Sequence, residues 1–95
     1  MIRAEIISNQ SVLDDIVEKL ENEIPDIEYT LIPEIQGKGL HSKKLGDTTW
    51  PEMNFLLFAY VSEDKARKIK TCVEELIRRF PKEGISVFFT QGIDL

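Results

Sequence analysis

The stretch 53–61 constrains the fold most strongly, because apolar side chains occupy both faces of any strand that it forms. Side chains alternate along a strand. One face would carry Met53, Phe55, Leu57, Ala59 and Val61, and the other Leu56, Phe58 and Tyr60. A strand that is buried on both faces is a central strand of a sheet. In a chain of 95 residues the helices can cover only one face, so the second apolar face predicts burial against another subunit.

The remaining elements are regular segments bounded by polar breaks and prolines. Alternating apolar residues predict strands, and apolar residues at helical spacing predict helices. In order, the elements are strand 2–7, helix 12–24, strand 27–35, strand 53–61, a helix from Ser62 to the residue before Pro81, and strand 85–90. This βαββαβ order predicts a single α+β domain, 1–95, with the ferredoxin-like architecture: a four-stranded antiparallel sheet with both helices on one face.

Single residues decide some details of these elements. Ser11 is predicted to cap the first helix, and Ser62 the second. Pro33 has no N–H to donate, so it is predicted at a sheet edge or a bulge. Ile35 is predicted to share the apolar face of the strand 27–35, and Ile77 the apolar stripe of the second helix.

The stretch 37–52 differs from the rest of the chain and is predicted to be a loop. With its flanks it holds three of the five glycines, the only histidine and the only tryptophan. Residues 37–46 carry three lysines and no acid, although the chain has a net charge of −5. A long loop in a small domain is usually functional or disordered. A basic loop on an acidic body suggests a small anionic ligand or an acidic partner; alternatively, the lysines only keep the loop solvated.

Gly37, Lys38 and Gly39 form a two-glycine element at the end of the predicted second strand. Glycine permits positive φ and lets backbone N–H groups come close to a phosphate. The element lacks the third glycine of a dinucleotide fingerprint and is not a P-loop. It is therefore either a phosphate-binding turn or an ordinary one.

Four other residues of the loop suggest binding to a metal or to a partner protein. His41 could hold a divalent metal with the help of nearby carboxylates. Trp50 could anchor a partner protein, together with Lys43 and Lys44, or could pack the loop onto the domain.

Several classes of function are disfavoured. The chain has one histidine and no Ser–His–Asp or Cys–His arrangement, so we expect no enzyme. An acidic protein binds nucleic acid poorly, because phosphate contacts dominate that affinity. Cys72 is the only cysteine, which excludes an internal disulfide and predicts a small apolar core residue. No apolar run reaches about 18 residues and no signal region is present, so we expect a cytoplasmic protein without membrane insertion.

The element order and the segment Glu34-Ile35-Gln36-Gly37-Lys38-Gly39 resemble the PII signal-transduction superfamily, whose long T-loop begins with a Glu-Val-x-Gly-x-Gly segment. The resemblance implies a homotrimer whose sheets face the trimer axis, and a T-loop equivalent at 37–52 that contacts a regulated transporter or enzyme. It also implies an adenine nucleotide, and often 2-oxoglutarate with Mg²⁺, in the clefts between subunits.

By this resemblance the ligand-binding residues are Gly37, Lys38, Gly39, His41, Lys82 and Gly84. The last two belong to the segment 81–84, which would replace the family's second phosphate-binding loop. Both loops are shorter than those of the family, which suggests a divergent member with a different ligand. Two alternatives remain: a trimeric metal-binding protein of the cation-tolerance type, which uses His41, and a structural oligomerisation module whose loop is only a linker.

Overall fold

The computed structural model describes residues 1–40, 43–46 and 52–95. Their elements, in chain order, are β1 (Ile2–Asn9), a 3-10 turn (Gln10–Val12), α1 (Leu13–Glu23), β2 (Thr30–Ile35), β3 (Gly37–Lys38), β4 (Lys43–Lys44), β5 (Asn54–Val61), α2 (Glu63–Arg79) and β6 (Ser86–Gln91). None of these helices is long and apolar enough to cross a membrane.

The main sheet has four antiparallel strands in the order β2-β5-β1-β6. β5 pairs with β1 along its whole length, from Asn9↔Asn54 to Ile2↔Val61, and with β2 on its other edge. The prediction that this stretch forms a central strand is therefore confirmed. In the connection that leads from β2 to β5, β3 and β4 form a separate two-stranded ladder.

The core lies between the two helices and one face of the sheet. Its strand members are Ala4, Ile6, Phe55, Leu57, Ala59 and Val61, and its helix members include Ile16, Leu20, Ile69, Cys72, Val73 and Leu76. The predicted position of Cys72 in the core is confirmed, and burial raises the pKa of its thiol. The ferredoxin-like architecture follows from this arrangement.

The opposite face of the sheet, which we call the open face, is not covered by the helices. Leu56, Phe58 and Tyr60 of β5 lie on it, as predicted, and Ile7, Ile32 and Phe88 join them from the other strands. Tyr60 is 52% exposed and Phe88 is 56% exposed.

Arg3 and Glu5 lie in the middle of the open face and carry its charges. The Arg3 guanidinium lies 4.2 Å from the centre of the Phe58 ring. It donates hydrogen bonds to Tyr60 Oη at 2.9 Å and to Glu5 Oε2 at 3.1 Å. Both bonds favour the charged guanidinium, so they raise the pKa of Arg3. The face thus combines exposed aromatic rings with an internally paired charge.

The strand irregularity at Pro33 explains why the face predicted for Ile35 was wrong. β2 is an edge strand, and its pairing with β5 shifts between Ile32 and Ile35. Three residues of β2 therefore span the distance that two residues of β5 span, which is a bulge. The bulge confirms the expectation for Pro33, and it turns Ile35 away from the core and onto the open face opposite Asn54.

Two helix predictions are also corrected. Ser11 does not cap α1: it lies in the 3-10 turn, and its hydroxyl donates to Glu83 Oε2 at 2.7 Å. Ile77 is 38% exposed and does not belong to the buried stripe of α2. The predicted cap of α2 is confirmed, since Ser62 Oγ accepts a hydrogen bond from the Lys65 backbone N–H.

Neighbouring residues of α2 provide a test of this packing. Leu76 is 1% exposed, so Leu76→Ala should lower the free energy of unfolding by about 2–5 kcal/mol, because it leaves a cavity in the core. Ile77→Ala removes a side chain of the same size from a partly exposed position and should cost clearly less. Urea denaturation measures both; equal losses would contradict the described orientation of α2.

Candidate anion-binding cleft

The sheet topology gathers four strand ends at one end of the molecule. Because β1 runs antiparallel to β5 and β6, and β2 antiparallel to β5, the last residues of β1 and β2 lie beside the first residues of β5 and β6. The segment 81–84 precedes β6, and the β3–β4 ladder follows β2. Both connections therefore lie at the same end of the sheet.

A cleft of about 510 Å³ lies between these two connections. The described residues that line it are Ile7, Ile35, Gln36, Gly37, Lys38, Gly39, Lys44, Asn54, Lys82, Glu83, Gly84 and Ser86. Five of the six residues that the sequence suggested for ligand binding are thus brought together. The sixth, His41, lies outside the described residues, and so does Trp50.

The reason for glycine at position 37 differs from the expected one. Gly37 does not have a positive φ. A Cβ at this position would instead lie 2.6 Å from Asn54 Nδ2, so a side chain here would require the end of the Asn54 side chain to move. Glycine here lets β3 pass close to the first residue of β5. Because β3 passes close to Asn54, the backbone of β3 lies against the cleft.

Gly84 does have a positive φ, of +64°, in the turn before β6. Most residues other than glycine and asparagine are strained in this region. No neighbouring atom lies within 4 Å of the Cβ that a substitution would add. The conformation, and not the space, therefore favours glycine at this turn.

Glu83 fastens the turn to the end of β1. Its carboxylate accepts hydrogen bonds from Asn9 Nδ2 at 2.9 Å and from the Ser11 hydroxyl at 2.7 Å. Its backbone oxygen accepts from the Ser8 hydroxyl at 3.3 Å and from the Asn9 N–H at 3.4 Å. Ser8 is fully buried, so these bonds also satisfy polar groups inside the protein. The neighbouring Lys82 is positioned by this attachment.

The base of the loop 37–52 is held by hydrogen bonds to the backbone. The Gly46 N–H donates to the Glu52 backbone oxygen at 3.2 Å, and the Gln36 side chain donates to the Leu45 oxygen at 3.2 Å. Together with the β3–β4 ladder, in which Gly37 pairs with Lys44, they give the predicted loop a structured base.

The charged residues of the described cleft wall are three lysines, Lys38, Lys44 and Lys82, and one acid, Glu83. Within residues 1–40, 43–46 and 52–95, neither Lys38 nor Lys82 forms an ion pair, and both are exposed. Lys44 lies in the cleft wall and is paired with Glu52. Its contact with a partner protein stays a prediction. Within the described structure, the ammonium groups of Lys38 and Lys82 are thus available to an anion.

Sequence reasoning missed several members of the cleft wall. Asn54, Ser86 and Ile7 looked like ordinary strand residues, and only the strand register brings them to this end of the sheet. Glu83 lay beside Lys82 in the predicted turn, but nothing in the sequence showed that it bonds to β1. Pro33 was predicted to lie at an edge or a bulge, but the register shift that brings Ile35 here is seen only in the structure.

The metal hypothesis receives no ligand set from the part of the chain that the structure describes. No three histidine, cysteine, aspartate or glutamate side chains among those residues are grouped to hold a metal ion. His41, on which the hypothesis depends, is not among them, so metal binding stays a prediction.

Comparison with known proteins identifies the fold of this chain. No protein-family model matches the sequence, and neither does any curated protein. Among solved structures, CPII bound to ADP and bicarbonate, from Thiomonas intermedia, has a TM-score of 0.73 at 19% identity, over 94% of this chain and 82% of CPII. A putative PII-like signaling protein from Thermus thermophilus has a TM-score of 0.67 at 20% identity, over 94% and 83%. The chain has the PII-like fold.

This likeness confirms, for the fold, the resemblance that the sequence suggested. A de novo designed protein, Foldit4, also matches, with a TM-score of 0.60 at 11% identity over 97% of this chain and 98% of the design. Since a design also matches over nearly its whole length, overall shape cannot by itself establish function. The residues of the cleft, and not the fold, indicate a function.

The turn at Gly84 can be tested by two substitutions. Gly84→Ala should lower the free energy of unfolding by about 1–2 kcal/mol, because alanine is strained at positive φ. Gly84→Asn adds a larger side chain but tolerates this conformation, so it should cost less. Thermal and urea denaturation measure both; a larger loss for asparagine would show that space, and not φ, limits this position.

Proposed function

We propose that this protein is a regulator that binds a small anionic effector, an adenine nucleotide, in the cleft between the β3–β4 ladder and the segment 81–84. It acts as a homotrimer, and the loop 37–52 contacts a regulated protein such as a transporter or an enzyme. It performs no catalysis itself.

The observation that carries this proposal is the convergence of Lys38 and Lys82 on one cleft. They are about 44 residues apart in the sequence, yet both line the same space of about 510 Å³. Cations without an ion-pair partner in the described structure are available to a phosphate. The backbone of Gly37, which lies close to Asn54, can approach the ligand without an intervening side chain.

An adenine nucleotide is supported by the size of the cleft and by the structural neighbour. A volume of about 510 Å³ is within the usual range for small-molecule and cofactor sites. CPII, which shares the fold, is bound to ADP and bicarbonate. The apolar side chains of Ile7 and Ile35 offer a surface for a base, while the lysines attract phosphate.

The homotrimer is supported by the open face. Seven apolar or aromatic side chains of the described residues lie on it: Ile7, Ile32, Ile35, Leu56, Phe58, Tyr60 and Phe88. An exposed cluster of this kind on a small protein indicates an interaction surface. The cleft lies at one end of this face, since Ile7, Asn54 and Ser86 belong to both. Association through the open face would therefore bring a second subunit close to the ligand. The number three rests on the resemblance to PII proteins.

The contact with a partner is assigned to the loop because its base adjoins the cleft. A ligand that touches Lys38 or Gly39 touches the loop itself, which gives an effector a direct route to the partner surface. Affinity capture from a lysate with wild type and Trp50→Ala, each with and without ATP, tests this assignment. Identical captured proteins in all four samples would refute it.

Calorimetry with ATP, ADP and AMP tests the nucleotide. Lys38→Ala and Lys82→Ala should each weaken the binding about tenfold to a hundredfold, because a hydrogen bond to a charged group contributes roughly 1.5–3 kcal/mol. Raising the salt concentration should weaken binding in the wild type as well.

The matched control is Lys70→Ala, which removes the same charge from an exposed position on α2, away from the cleft. It should leave the affinity nearly unchanged. The nucleotide assignment fails if none of the three nucleotides binds the wild type, or if Lys70→Ala has the same effect as the cleft variants.

Light scattering tests the oligomer. Wild type at micromolar concentration should have the mass of three chains, and Phe88→Glu should dissociate it. Phe88 lies directly opposite Glu5 on the open face, so the new carboxylate would add like charge and polarity to the interface. Phe88 is mostly exposed in the single chain, so the subunit should stay folded, as circular dichroism would report.

Lys70→Glu serves as the control, because it makes a charge change on α2 and should leave the mass unaltered. A wild-type protein that is monomeric at micromolar concentration would rule out the homotrimer. A Phe88→Glu variant that remains trimeric would rule out the open face as the interface.

A further inference from the structure

The three lysines of the cleft are not equivalent. Lys38 and Lys82 are exposed and form no ion pair within the described parts of the chain. The side chain of Lys44 is only 17% exposed and is bound by the carboxylate of Glu52. Glu52 itself is not part of the cleft wall. Lys44 is therefore paired with a carboxylate that lies outside the cleft wall.

Glu52 is held in this position by two further contacts. Its Oε2 accepts a hydrogen bond from Asn9 Nδ2 at 3.4 Å, and its backbone oxygen accepts from the Gly46 N–H at 3.2 Å. Asn9 is almost buried, and the same amide donates to Glu83 on the other side of the cleft. The carboxylate that binds Lys44 is thus anchored by the end of β1.

We propose that Glu52 sets the charge selectivity of the cleft by neutralising Lys44. The inference rests on the proposed function, because it concerns the same anion-binding cleft. With Lys44 engaged, the ammonium groups of Lys38 and Lys82 remain for the ligand, and Glu83 adds a negative charge to the same wall. The cleft therefore favours nucleoside monophosphates and diphosphates over triphosphates. A more highly charged ligand would need Lys44 and would also lie close to the Glu52 carboxylate.

The substitution Glu52→Gln tests this role. Glutamine keeps the size of the side chain and an oxygen that accepts from Asn9, but it lacks the negative charge. Binding of ATP, measured by calorimetry, should become about threefold to tenfold tighter, since one partly exposed charge pair is removed. The gain should be smaller for ADP and smallest for AMP, because the attraction to the released Lys44 increases with ligand charge.

Two controls define the cause of such a gain. Glu74→Gln removes a carboxylate from the exposed surface of α2 and should leave all three affinities unchanged. The double variant Glu52→Gln/Lys44→Gln should lose the gain, because the released cation is then missing. A gain that persists in the double variant, or that is equal for AMP and ATP, overturns the proposal.

Inorganic pyrophosphate and tripolyphosphate separate this inference from the proposed function. If neither wild type nor Glu52→Gln binds adenine nucleotides, but Glu52→Gln binds tripolyphosphate with the larger gain, the nucleotide assignment fails and the role of Glu52 stands. If nucleotides bind and Glu52→Gln changes no affinity, the role of Glu52 fails and the proposed function stands. If none of these anions binds either protein, both are overturned.

Discussion

The pairing of β5 with β1 is the interaction on which the rest of this structure depends. It runs without interruption over eight residues of each strand, and it places both strands in the interior of the sheet. β5 contributes Phe55 and Leu57 to the core and Phe58 to the open face. The helices cover only one side of this pair, so aromatic side chains such as Tyr60 and Phe88 stay exposed on the other side.

The cleft depends on smaller departures from regular structure at the end of that pair. The bulge at Pro33 turns Ile35 toward the open face, and the glycine at position 37 lets β3 pass close to Asn54. The carboxylate of Glu83 holds the opposite wall against β1. These local interactions hold two connections close together that are far apart in the sequence, and the cationic cleft lies between them.

The fold and the function of this protein depend on different features of the chain. The likeness to CPII at 19% identity establishes the architecture, while the match of a designed protein shows that a similar architecture also occurs in a design. Within the described residues, the cleft of this chain contains two lysines without an ion-pair partner and a third that is paired with Glu52. This chemistry supports the anion binding that we propose.

The sequence by itself determined the element order, the central position of β5 and the cap of α2, because periodicity, apolar content and a serine at a helix start are local signals. It also indicated which glycines and lysines could meet an anion. Tertiary structure alone decided that Ser11 bonds to Glu83 instead of capping α1, and that Lys44 lies in the cleft paired with Glu52. Such contacts join residues that are brought together by strand register and by a one-residue bulge, so no local pattern reveals them.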